Sequence, residues 1–146
     1  MDSLHYIKAG LLSVTGILVS AAVQYLGGFD RFLQALIVCM TVDLITGWLL
    51  AAVFKASGKS KKGRLDSEAG FHGLLKKGCA LLMIVVAVTL DSLMQTGGLT
   101  RDAVVVAFIL NEIISILENM GLMGVKLPAP LINALEWLSR EQAKRN

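Results

Sequence analysis

Four apolar runs, each about as long as a bilayer's hydrocarbon core is thick, leave this chain few ways to fold. They are Ile7 to Leu26, Phe32 to Phe54, Gly78 to Thr96 and Ala103 to Val125. A helix needs about 20 apolar residues to cross roughly 30 Å of hydrocarbon. Inside lipid it must also satisfy its own backbone polar groups. The runs fill more than half of the 146 residues. The expectation is an all-α polytopic membrane protein of four transmembrane helices, with a short amphipathic helix after them. Composition agrees, at 55% hydrophobic, 17% charged and a mean hydropathy of +0.66. Soluble domains run near 45–50% apolar and about 25% charged. A disordered chain, a coiled coil and a disulfide scaffold are excluded, and a soluble enzyme is disfavoured. The first run has the look of a signal peptide, with Val19-Ser20-Ala21 as a small-residue cleavage pattern. It is long for that role and only Lys8 precedes it, so it reads as a retained helix.

The connectors set the orientation. Gly27-Gly28-Phe29-Asp30-Arg31 joins the first two runs, and Gly97-Gly98-Leu99-Thr100-Arg101-Asp102 joins the last two. Glycine pairs end helices because they tolerate left-handed backbone angles. The middle connector, 55–77, is basic: Lys55, Lys59, Lys61, Lys62, Arg64, Lys76 and Lys77 stand against Asp66 and Glu68. A net charge of +3 and a pI of 9.0 do not point to nucleic acid, because the basic residues gather in this one loop. Such a loop belongs in the cytoplasm. Both termini then lie inside as well, with 12 basic residues on that face against Arg31 and Arg101 outside. Residues 1–125 form the membrane domain. Beyond it, Pro128 and Pro130 stop the helix. Leu131, Ile132, Leu135, Trp137 and Leu138 then recur opposite Glu136, Arg140, Glu141, Lys144 and Arg145. Residues 126–146 are expected to form a cytoplasmic amphipathic helix and charged tail, lying on the membrane or against a neighbouring subunit.

Four carboxylates interrupt the apolar runs: Asp43, Asp91, Glu112 and Glu118. A charge at mid-membrane costs about 2.5–3.5 kcal/mol on insertion scales, and such residues face a helix interface or water. Counting at about 1.5 Å per residue from the outer helix ends brings Asp43 and Glu112 to similar depths, with Asp91 further out and Glu118 further in. Asn111, Ser115 and Glu118, with Glu112 and Asn119 beside them, give the fourth helix one polar face. No basic residue is placed at the hydrocarbon centre, so these acids are expected to be protonated, hydrogen-bonded or hydrated. They either line a lumen or hold helices together. Small residues suggest close helix contact, within the chain or between copies: Ala9, Ser13, Gly16 and Ser20 on the first span, Gly47 and Ala51 on the second. Cys39 and Cys79 fall near opposite membrane faces and are expected to be free thiols. No metal site, cofactor site or catalytic residue is read, and no nucleophile elbow or phosphate loop is present.

Four patches resemble the bacteriophage holin family, which also includes holins encoded beside clostridial toxin genes. They are Asp43-Leu44-Ile45-Thr46-Gly47; Ser67 through Gly70 and Gly73 to Lys76-Lys77; Asn111-Glu112-Ile113-Ile114-Ser115-Ile116-Leu117-Glu118-Asn119; and Gly121 to Pro128 with the leucine-bearing helix and charged tail that follow. Their order covers roughly 38–140. The resemblance implies a protein of the bacterial inner membrane that accumulates harmlessly and opens at a set time. The opening releases or activates an endolysin, or helps a toxin leave the cell. It implies a homo-oligomer, an endolysin as functional partner, an antiholin as a further one, and no active site. Family members are often described with three spans, so three is the alternative to four. The residues alone also fit a small ion or proton channel, a transporter accessory subunit, or a membrane adaptor recruiting a soluble partner through the basic loop.

Overall fold

The computed structural model describes residues 2–54, 67–133 and 136–137. They form α1 (Asp2–Tyr25), α2 (Arg31–Leu49, continued by a single π turn over Leu50–Phe54), α3 (Ser67–Met94) and α4 (Leu99–Leu122), with no strand among them. All four helices are long and apolar enough to cross a membrane, over His5–Tyr25, Arg31–Phe54, Gly70–Met94 and Leu99–Leu122. The protein is an all-α, multi-pass membrane protein.

Two boundaries differ from the sequence reading. The third span starts at Gly70 rather than Gly78, because Phe71, Leu74 and Leu75 carry the apolar content of α3 back through its first turns. Lys76 and Lys77, assigned above to the basic loop, therefore stand on α3. The fourth span starts at Leu99 rather than Ala103, because the first turn of α4 receives a cap from another helix. Lys55, Lys59, Lys61, Lys62 and Arg64 lie outside the described residues, as do Leu135, Leu138 and the charged tail. Residues 129–133 and 136–137 are helical.

Three helices form a bundle, with α4 packed against both α2 and α3. Each contributes one stripe. On α2 it is Leu33, Leu36, Met40, Asp43, Thr46 and Leu50; on α3, Lys77, Ala80, Ile84, Ala87 and Asp91; on α4, Arg101, Val105, Glu112 and Asn119. Spacings of three, four and seven put each set on one face of its helix. The stripes stack in layers. Leu36, Met40, Ala80, Ile84 and Val105 make an apolar core. A polar layer lies on either side of it. One is at the α3–α4 turn, and the other is toward the ends of α2 and α4 and the start of α3. Lipid tails are as apolar as leucine, so the core is held by close packing and the polar layers by hydrogen bonds.

The first helix stands apart. None of its apolar window is buried, and Leu11, Leu12, Ile17 and Leu18 are all exposed.

Candidate functional site

The layer at the turn end is built around Arg101 and Asp91. Asp30 is the N-cap of α2, its Oδ1 accepting from the Leu33 N–H at 2.9 Å. The Arg101 guanidinium reaches the same carboxylate, Nη2 to Oδ1 at 3.0 Å, and donates through Nε to the Leu26 carbonyl at 3.1 Å and through Nη1 to Asp102 at 2.8 Å. The guanidinium beside Asp30 holds its carboxyl below the usual carboxylate range, against the opposing effect of burial. Gly27, at φ +86°, lets this arginine close in, since a Cβ there would stand 3.1 Å from Arg101 Nε.

Asp91 comes from α3 but serves α4. The N-cap position of α4 is Gly98, at φ +94°, which has no side chain to cap with. Asp91 replaces it, Oδ1 accepting from the Thr100 N–H at 2.9 Å and Oδ2 from the Arg101 N–H at 2.7 Å; the Thr96 hydroxyl donates to Oδ1 as well. The first amides of a helix have no partner within the helix. A carboxylate there is stabilised by the helix dipole. Asp91 thus caps α4 and ties it to α3.

The second layer is a buried ion cluster. Lys77 Nζ lies 2.9 Å from Asp43 Oδ2 and also donates to Glu112 Oε2. Asn119 Nδ2 donates to Asp43 Oδ1 at 3.1 Å and to Thr46 Oγ1 at 3.2 Å, and the Thr46 hydroxyl donates to the Asp43 carbonyl at 3.1 Å. All five side chains are buried. Gly47 faces α4 here, and a Cβ on it would make ordinary contact with Asn119 Nδ2 at 3.6 Å. One cation from α3 therefore joins a carboxylate from α2 to one from α4 inside the spanning segments. This corrects the expectation that no basic residue would reach the buried acids. Asp43 and Glu112 do meet, with Lys77 between them.

The remaining candidates divide. Asn111 and Glu118 are exposed on α4, next in sequence to the buried Glu112 and Asn119, and Ser115 is half-buried. Lys76 is exposed beside Lys77. Ser13, Gly16 and Ser20 on α1 are exposed, and nothing lies within 4 Å of a Cβ built at Gly16. The Ser13 hydroxyl bonds back to the Ala9 carbonyl at 2.9 Å. Ala51 is half-buried in the π turn. Cys39 and Cys79 are free thiols. In the sequence Arg101 stands as a charge of the connector between the last two runs and is not singled out as a site residue. The signal that finds it is the stripe Arg101, Val105, Glu112, Asn119.

A bacteriophage holin family model matches residues 20–140. An uncharacterized protein of Listeria innocua is 41% identical over 130 residues, covering 88% of this chain and 84% of its own length. A 14.9 kDa protein encoded in the nagH 3′ region of Clostridium perfringens is 37% identical over 140 residues, covering 95% and 97%. A protein of Bacillus phage phi105 named "Probable holin" is 31% identical over 121 residues, covering 83% and 84%. No solved structure matches.

Proposed function

The chain belongs to the bacteriophage holin family, and on that premise we propose that it assembles in the bacterial inner membrane and opens it at a set time. The lesion releases or activates an endolysin, or lets a toxin out. The observation that carries this reading is the family match, which runs through all three bundled helices and both polar layers. Physical scale supports it. Four spans in one chain cannot enclose a protein-sized hole, so many copies line it. Both termini and the basic loop lie in the cytoplasm, following the positive-inside rule. Residues 126–146 act as a separate amphipathic segment there. An antiholin form would set the timing by joining the same assembly. The family is not one of enzymes, and no catalytic residue is assigned.

The test is inducible expression in a bacterium, following membrane potential and leakage of a cytosolic enzyme together. Sudden depolarisation with enzyme leakage, advanced by an uncoupler, is the expected result. Depolarisation without enzyme leakage moves the assignment to a small-hole holin or an ion channel. A sealed, energised membrane at high expression moves it to an adaptor.

A further inference from the structure

Intramembrane charges have three ways to be satisfied: a partner, water, or loss of the charge. In this chain the buried polar groups of the three-helix seam are taken up by one another. Lys77 from α3 holds Asp43 of α2 and Glu112 of α4, and Asn119 of α4 closes the set onto Asp43 and Thr46. All are buried, directly below the core of Leu36, Met40, Ala80, Ile84 and Val105. We propose that this cluster is a latch: it keeps α2, α3 and α4 sealed, and the entry of water between them to replace these contacts is the step that opens the lesion. The inference rests on the holin reading and adds to it the element that switches.

The chemistry makes such a latch two-state. A half-opened cluster leaves at least one charge in a dry site without its partner, which is worse than either the paired or the fully hydrated arrangement. Three helices contribute, so no one of them can be withdrawn alone. A device of this kind stays shut and then yields at once, as a timed lesion requires. It also separates the roles of the acids. Asp43 and Glu112 belong to the latch, Asp91 belongs to a helix cap, and Glu118 is exposed.

The chain carries its own reporter. Cys39 lies one turn from Asp43 on α2, half-buried at the edge of the sealed seam. In a Cys79→Ser chain it is the only thiol. Cells expressing that chain are treated with a membrane-impermeant thiol reagent before and after an uncoupler triggers opening. Cys39 is expected to be unlabelled before and labelled in most molecules after. Labelling to the same extent before triggering overturns the latch, because the seam is then already wet. So does the absence of labelling in cells that have depolarised and leak protein, because the lesion then opens with the seam shut. Cells that never depolarise or leak count against the holin reading itself.

Charge exchange gives a second readout. Lys77→Glu and Glu112→Lys singly are expected to abolish the delay before opening. The double variant rebuilds one cation between two carboxylates and is expected to restore both delay and accumulation. Wild-type timing in the single variants, at wild-type amounts, overturns the proposal. If the single variants do not accumulate, the Cys39 experiment decides alone.

Discussion

Replacing Arg101 by methionine keeps the aliphatic stem and removes the guanidinium. Its consequence can be worked from the contacts at the turn end. The Leu26 carbonyl loses a donor at 3.1 Å, worth about 1 kcal/mol net for an ordinary hydrogen bond. The Asp30 pair would be worth about 1.5–3 kcal/mol if fully buried. Asp30 is 43% exposed on its side chain, so solvent screening reduces this to about 1 kcal/mol. The Asp102 contact, similarly exposed, adds little. Arg101→Met is therefore expected to destabilise the bundle by about 2 kcal/mol, read by reversible unfolding in mixed micelles. A double-mutant cycle with Asp30→Asn tests the pair, because asparagine still caps α2 at Leu33 while the charge and one of the two oxygens that accept from Arg101 are lost. The expected coupling is about 1 kcal/mol. The Asp30 carboxyl is held below its ordinary value, so this contribution is full above the unfolded carboxylate range. It is lost as pH falls through the lowered value, and in Arg101→Met that acid-side loss should shrink, leaving only what the Leu33 cap contributes. Additive effects in the cycle, or an unchanged acid limb in Arg101→Met, would refute the assignment of Arg101 as the clasp of the turn end.

Asp91→Ala should strip the cap from α4, so that the Thr100 and Arg101 amides exchange with solvent faster while amides near Glu112 keep their protection; equal protection at both sites would return Asp91 to the lumen-lining reading. Gly27→Ala forces a side chain into positive φ and against Arg101 Nε, and should cost about 1–3 kcal/mol in the same unfolding assay. Ile84→Ala opens the apolar layer at a fully buried position, with an expected loss of about 2–5 kcal/mol. A loss below about 1 kcal/mol would mean that the layer is not close-packed.

Much of the architecture was legible in the sequence, since bilayer thickness fixes span length and the glycine pairs fix the turns. The approach of Asp43 and Glu112 was legible too, because depth follows from counting along helices. Lys77 was not. It follows a basic run and directly follows Lys76, and charge density assigned it to the loop. The spacing Lys77, Ala80, Ile84, Ala87, Asp91 held the contrary signal, because it continues one face of α3 backward by three residues. The capping role of Asp91 was hidden for a different reason. Caps are ordinarily supplied by the residue just before the helix, and this one arrives from the preceding helix across a turn. Arg101 suffered from the same displaced boundary, since a helix start set at Ala103 turns its anchor into a loop charge.

If copies assemble as proposed, the separateness of α1 has a consequence for how they meet. A short connector holds this helix beside its own bundle, at an effective concentration that would reward even a weak docking site. Yet its apolar window buries nothing there. Lipid is thus the reference against which any partner for α1 competes. An incoming helix displaces acyl chains from it rather than breaking a fold, so recruitment of α1 can be readily reversible while the three-helix bundle stays intact.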